Sequence, residues 1–484
     1  NWTYFQQAAE ALSRKTLPER FAIHSNLKWD PVSGKLYTSS FLLMVAYYVA
    51  LEARACGCST LDTVISYPSA MTGWKNYVQG MDKQLGIACE IASIDLLDHN
   101  ATADRQVPWR NRTITESCAV AQRTSQNHLA TQFCSIDIGG GTSDIFIFKN
   151  DGDDTNLAWD GYESSLLCGA RAILLESFVA NPNCLHELVG LVPADPIMRA
   201  LKAAVPQMEG WTNGGLTRET IQRNIEFLLS VKFMDSTHQW HSAGEELRLR
   251  AVSQDGLANH SVAKLRKRVA YNAAAVLFYA GLMTRGTGTR VDQLHLRFAG
   301  NGSKTLQWIS NDDDNTKRFL SKMFNVGAGL EAEGVGQNPI NIQFAVDPKH
   351  EVADGALKDS IAMAIHVDEI LAGEVVKLYD GLHKDAFAEW PVGRNIASEL
   401  FDDARSFVPS NEMLKTFVRA FREATRGILL INLGAGEFDP VVADAPGVKL
   451  TINRKIADIV AGRNPDKKSF FMIGVDALSD HYFK

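Results

Sequence analysis

The apolar positions along the chain change their spacing block by block, and each block predicts an element. From Thr38 or Ser39 to about Ala55 most residues are apolar, with a hydroxyl available at the start, which predicts a helix. Thr63–Tyr67 reads Thr-Val-Ile-Ser-Tyr ahead of Pro68 and predicts a short buried strand. Then come helical spacing over Gly73–Leu85, strand character over Cys89–Leu97 and a polar loop over Asp98–Asn111. Ile114–Ala130 predicts a helix and Phe133–Ile138 a strand. Strands alternating with helices in this way predict parallel βαβ units with helices on the faces of a sheet.

Further on, Ile145–Lys149 is strand-like, and Asn150–Asp151–Gly152–Asp153 predicts a tight hairpin turn. Ser164 to about Arg285 is mostly helical in pattern and closes with a long amphipathic helix over His260–Leu282. Strands are predicted at Leu294–Phe298 and Ile340–Val346, helices near 359–381 and 411–425, and strands near Ile428–Leu433 and Phe470–Ile473. No internal repeat stands out.

Composition narrows the class. The 484 residues suit two lobes better than one, and 45% hydrophobic with 22% charged residues is ordinary for a soluble globular protein. A net charge of −7 argues against a general nucleic-acid binder, which needs a positive field to meet phosphates. The most apolar stretch, Phe41–Ala50, reaches Glu52 and Arg54 too soon for a membrane span. The seven cysteines, all within the first 184 residues, sit mostly among apolar neighbours. Free thiols in a reducing, cytoplasmic setting are the expectation. Cys56–Gly57–Cys58 has no second pair at zinc-ligand spacing.

The chemistry concentrates in Ser135–Ile136–Asp137–Ile138–Gly139–Gly140–Gly141–Thr142–Ser143–Asp144. A strand delivers Asp137. Gly139, Gly140 and Gly141 let backbone N–H groups come close to an anion without Cβ obstruction, and Thr142 adds a hydroxyl. Carboxylates at Asp137 and Asp144 beside a phosphate site call for a mediating cation, and Mg²⁺ suits oxygen ligands. A second strand follows, so this is a β-hairpin grip, distinct from a strand–loop–helix nucleotide motif.

At this loop the sequence resembles the actin, heat-shock-chaperone and sugar-kinase ATPase superfamily, and looks most like its chaperone-like and bacterial actin-like branches. Other segments resemble the family in order: Val64–Ala70; Thr115–Ala121 as a first connecting helix; Leu167–Ala170 behind the phosphate loop; Phe298–Ser303 as the adenosine motif; and Asp347–Ala356 as a second connecting helix. The resemblance covers about residues 38–356. It implies an α/β, two-lobed actin-like fold, with ribonuclease-H-like lobes around a nucleotide cleft. Lobe one would span 1–130 and lobe two 131–346, with 347–484 returning to lobe one and adding a C-terminal extension. The family's first phosphate hairpin is not in the chain and is expected upstream of Asn1. Asp354 departs from a helix that is usually small and apolar at that point.

By position, the resemblance implies that Asp137 holds Mg²⁺ through water or orients the attacking water. Glu116 would position that water, Asp144 would support the metal, and Gly139, Gly140, Gly141 and Thr142 would cradle the β- and γ-phosphates. Gly300, Asn301, Gly302 and Ser303 would contact adenosine. The implied function is an ATP-binding, ATP-hydrolysing conformational switch acting on a protein partner, with a filament former, a small-molecule kinase and a non-hydrolysing scaffold as alternatives. A chaperone would need a β-rich peptide-binding domain after the core, whereas 357–484 is mixed in pattern.

Other segments carry less. Lys264, Arg266, Lys267 and Arg268 lie on one predicted helix and either touch the nucleotide or form a solvated face. Leu433–Gly434–Ala435–Gly436–Glu437 reads as a turn after a strand, Asn311–Asn315 as a solvated loop, and Cys118 as a helical core cysteine.

Overall fold

The structure is a computed structural model, and it describes residues 34–67, 74–96, 113–125, 132–150, 159–166, 168–170, 173–174, 177, 232–234, 240–242, 261–286, 294–330, 340–345, 350–357, 363–365, 411–460 and 470–483. It is a mixed α/β chain. Two compact units emerge, one drawn from Asn1–Thr63, Asn76–Asp98 and Asn181–Arg250, the other from Val64–Lys75, His99–Ala180 and Ala251–Lys484.

In the first unit, α1 (Gly34–Ala55) leads to β1 (Thr60–Leu61), which pairs in parallel with β3 (Asp95–Leu96) after α2 (Trp74–Ala92). Ala50, Cys89, Ala92 and Ile94 form its small core. The strand expected over Cys89–Leu97 is corrected here: α2 continues to Ala92. Ser93 then takes φ 55°, with its N–H donating to Glu90 O and the Ile94 N–H to Cys89 O. That pair of bonds closes a helix with a left-handed residue, leaving only Asp95–Leu96 for a strand.

The second unit is built on a six-stranded sheet. Its strands are β5 (Gln132–Ile138), β6 (Ser143–Asn150), β7 (Trp159–Leu166), β10 (His295–Ala299), β11 (Asn341–Phe344) and β12 (Met363–Ile365). The order is β11-β10-β5-β6-β7-β12. β5, β6 and β7 form an antiparallel meander, β10 and β11 extend it in parallel from β5, and β12 adds in parallel to β7. All seven residues of β5 are buried, as expected of a central strand covered on both faces. A separate parallel pair joins β2 (Ile65–Tyr67) to β4 (Thr113–Thr115).

Helices cover this unit. α3 (Glu116–Ser125) packs Cys118 and Ala121 against Phe133, Phe146 and Phe148 of the sheet. α4 (Ser261–Gly286) is buried along most of its length, which suits a helix that is apolar nearly all round. α5 (Asp313–Gly327) lies against α4. The short α6 (Glu351–Ala356) crosses α3 so closely that a Cβ on Gly355 would sit 1.7 Å from Ala119 O. α7 (Asn411–Gly427), α8 (Pro446–Val460) and α9 (Phe470–Phe483) form a C-terminal layer over α4 and α5. There Tyr271 of α4 is ringed by Phe417, Phe421, Phe438 and Phe483, and its hydroxyl donates to Val475 O at 3.1 Å.

Several expectations change. The helix expected from Ile114 begins at Glu116, because Thr113–Thr115 pairs with β2 and Thr115 caps the helix. The stretch from Ser164 to Arg285 is not mostly helical at its start: β7 runs to Leu166, and β8 (Lys232–Met234) and β9 (Trp240–Ser242) pair in the first unit. Asn150 pairs with Trp159, so the connection between β6 and β7 is 151–158 rather than a two-residue turn. In 359–381 the described part, Met363–Ile365, is strand, held by pairing with β7; the rest lies outside the described residues.

Near Ile428–Leu433 the alternation is real, with Leu429, Ile431 and Leu433 buried and Leu430 exposed, yet no neighbouring strand pairs with it among the described residues. Leu430 is at φ 55°. Phe470–Ile473 starts a helix, and its near-continuous burial erased the period that would have marked it. The loop expected at Asn311–Asn315 ends in a helix cap: Asp312 accepts from the N–H groups of Asp314 and Asn315. The loop 98–111 falls largely outside the described residues.

Candidate functional site

The sheet register assembles the site. Antiparallel pairing of β5 with β6 sets Asp137 opposite Asp144, and the parallel neighbour β10 sets Ala299 beside Asp137. The turn between β5 and β6 is closed by the Gly139 N–H donating to Thr142 O at 2.8 Å. Gly139 O accepts from the Ala170 N–H at 3.0 Å, and a Cβ on Gly169 would lie 2.4 Å from Gly140 O. The segment expected behind the phosphate loop is therefore in backbone contact with it. Gly140 and Gly141 are exposed at the tip.

The segment read as an adenosine motif, Phe298–Ser303, arrives at the same place. Gly300 has φ 73° and a Cβ there would fall 2.0 Å from Asp137 Oδ1, while a Cβ on Gly302 would fall 2.5 Å from both Ile138 O and Gly139 O. Only glycine allows this approach at a positive φ. Beyond Gly300 the chain turns into a 3₁₀ helix, Asn301–Trp308. Asn301 is exposed; Gly302 and Ser303 are buried, and the Ser303 hydroxyl donates to Gly300 O at 2.7 Å, holding its own loop.

The carboxylates form a tight set. Asp144 is buried and accepts from the Thr142 hydroxyl at 2.9 Å and from the Ser165 hydroxyl. Burial, then the charges of Glu116 and Asp137, push its carboxyl well above the ordinary range, against the opposing pull of those two hydroxyls. Asp137 is also buried. Glu116 is the first residue of α3, half-buried, and its charge reaches Asp144. The structure thus brings together Asp137, Glu116, Asp144, the glycine turn, Thr142 and the Gly300–Ser303 loop. Thr142 spends its hydroxyl proton on Asp144.

The two segments read as connecting helices, α3 and α6, pack against each other. Asp354, the odd acid of the second one, pairs with Arg123 of α3 at 3.5 Å, and Glu351 pairs with Arg297 of β10 at 2.7 Å. The basic cluster on α4 is not a solvated face. Only Lys264 is exposed; Arg266 Nε donates to Ile309 O at 2.6 Å, and Lys267 donates to both carboxylate oxygens of Glu437 at 2.8 Å. Arg266 thereby anchors the segment just beyond the adenosine loop. Cys118 is buried in the helix core, and burial with the Glu163 charge raises its thiol pKa, which keeps it inert.

Sequence reasoning missed Ser165 and Glu163. Both lie on β7, and what brings them to the site is the register of β6 with β7, which pairs Ser165 with Asp144 and Glu163 with Phe146. The hairpin turn read at Asn150–Asp153 would have set a different register.

Set against protein-family models and curated proteins, the chain matches none. Among the described residues no three His, Cys, Asp or Glu side chains are arranged to hold a metal by themselves, and no helix is long and apolar enough to cross a membrane.

Proposed function

We propose that this chain binds ATP in the second unit and hydrolyses it as a conformational switch of the actin-like and chaperone-like type. One observation carries the reading: two glycine loops more than a hundred residues apart in sequence, which resemble the phosphate and adenosine motifs of one superfamily, lie in close contact around Asp137. A structural hairpin has no need for Gly300 at φ 73° against a carboxylate oxygen. The antiparallel meander extended by parallel strands is the kind of mixed sheet that a ribonuclease-H-like lobe requires. The close crossing of α3 and α6 fits the pair of connecting helices in such a fold.

The residues divide the work. Because the Gly139 N–H is committed to Thr142 O, a phosphate would be met by the amides of the exposed tip, Gly140 and Gly141. Asn301 is the exposed member of the second loop and the one that can reach a nucleoside. The donor set fits Mg²⁺: Asp137 would hold it, and Asp144, already bonded to two hydroxyls, would support Asp137. Burial first, and then the charges of Glu116 and Asp137, disfavour the charged form of Asp144; a divalent cation relieves such crowding, and one or two carboxylates plus phosphate oxygens are its usual shell. When bound, Mg²⁺ neutralises the phosphate oxygens. Glu116, at the first turn of α3, orients a water and accepts its proton. Closing two lobes over nucleotide and altering an outer surface is how such a site reports its state to a partner.

The test is nucleotide binding and phosphate release with Mg²⁺, comparing the protein with Asp137→Ala. Binding by the parent and a loss of about 100-fold or more in turnover by the variant are expected. A parent that binds no nucleotide ends this reading.

A further inference from the structure

We infer that Glu163 is the positioning residue for Glu116; the inference rests on the ATPase reading above. Glu163 is 2% exposed and stands on β7 opposite Phe146, a member of the apolar cluster formed by Phe133, Phe146, Phe148, Cys118 and Ala121. A carboxylate in such surroundings needs compensating hydrogen bonds. Glu163 spends its two oxygens on two separate donors: Oε2 accepts from the Thr115 hydroxyl at 3.0 Å, and Oε1 accepts from the Ser117 hydroxyl. Those donors are the residues immediately before and after Glu116. The carboxylate therefore clamps the chain on both sides of Glu116, whose charge, with that of Asp137, acts on Asp144.

Capping alone does not account for the clamp. Thr115 already caps α3, its hydroxyl accepting from the Cys118 N–H at 3.3 Å. Glu163 takes the proton of that same hydroxyl, so a relay runs from the Cys118 amide through Thr115 to the carboxylate. The start of α3 adds a favourable field for the negative charge. Tyr67 lies within reach as well: burial first, and then the Glu163 charge, raise its phenol to about 12. With Thr115 and Ser117 both held, Glu116 has no freedom to swing with the end of its helix. A general base must be held within hydrogen-bond reach of its water, and misplacement by an ångström lowers the rate far more than it lowers binding.

The experiment is a double-mutant cycle on the full chain, measuring nucleotide affinity, KM and kcat for phosphate release with Mg²⁺-ATP, and folding by circular dichroism. The variants are Glu163→Gln, Ser117→Ala, Glu116→Gln and the two combinations with Glu116→Gln. Glu163→Gln is expected to lower kcat about tenfold with KM nearly unchanged, and to add almost nothing once Glu116 is already Gln. Ser117→Ala, which releases one side of the clamp and leaves the carboxylate in place, is expected to lower kcat about threefold with the same non-additivity. It decides the matter if Glu163→Gln does not fold. Equal losses in both backgrounds, or a raised KM at constant kcat, would overturn the inference and make Glu163 a structural group. A parent that turns ATP over while both clamp variants match it overturns this inference alone. A parent that binds no nucleotide, or binds it without releasing phosphate, removes the step that Glu116 is assigned and overturns it together with the ATPase reading.

Discussion

Single side chains set the electrostatics of the site. Asp144 is held, fully buried, next to two other acids, and its carboxyl is raised above the ordinary value of 3.8. The folded protein therefore keeps that proton where the unfolded chain releases it. Stability contributed by the protonated form is fully present below the unfolded value and is lost as pH rises through the folded one. Asp144→Asn is expected to raise the melting temperature at neutral pH, with the gain shrinking as pH falls toward 4; a constant difference across that range contradicts the assignment. The thiols make a second residue-level prediction. Cys56 and Cys58 are exposed, while Cys89, Cys118, Cys134 and Cys168 are buried. Brief alkylation of the native protein followed by peptide mass spectrometry should mark the first two and spare the other four until denaturant is added.

At the scale of elements, glycines decide how closely backbones meet. Gly300→Ala adds a Cβ 2.0 Å from Asp137 Oδ1 at a backbone angle that disfavours side chains. A destabilisation of about 1–3 kcal/mol and loss of nucleotide affinity are expected from denaturant unfolding and titration. Gly355→Ala pushes α6 off α3 at Ala119 and should cost about as much in stability. These contacts also explain what the sequence reveals. The glycine turn is legible because its residues are contiguous: Asp137, three glycines, Thr142 and Asp144 lie within eight residues. The Gly300–Ser303 loop is legible for the same reason. Ser165 and Glu163 are not, since they reach the site through strand register, and register depends on the length of the 151–158 connection. Phe470–Ile473 misled because a helix end buried on several faces shows no period in a short window, and Cys89–Leu97 misled because Ile91 is apolar yet exposed, which blurs the helical spacing of buried Cys89 and Ala92.

For the whole molecule, the C-terminal layer is tied to α4 by Lys267, whose side chain is 2% exposed, and Glu437, which is 28% exposed. Glu437 also accepts from the Gly434 N–H at 2.8 Å, so the turn read at Leu433–Glu437 is braced on a buried ammonium. Glu437→Gln strands that charge and should cost about 3 kcal/mol, at the low end for a broken buried pair because Glu437 is partly solvated. Lys267→Met removes the charge with its length nearly kept and should cost less than half as much; chemical denaturation of both variants ranks them. The sequence carried no sign of this pair, because its members are 170 positions apart and each looked solvated. The α/β class, the place of the glycine loops and the helix near 411–425 could be read in advance, whereas α8 and α9 of the C-terminal layer could not.

The strand order has a consequence for how the protein is made. β5, β6 and β7 leave the ribosome together, but β10, which covers the other edge of β5, follows after roughly 130 further residues, or about ten seconds of synthesis. For that interval the nascent chain displays a strand that the finished fold buries completely, with an open hydrogen-bonding edge, a template for pairing with neighbouring chains. Synthesis of this protein therefore creates its own demand for a factor that shields β5 until β10 emerges. Truncation before His295, which leaves that edge of β5 uncovered, should raise the aggregated fraction of the product relative to the full chain in a sedimentation assay.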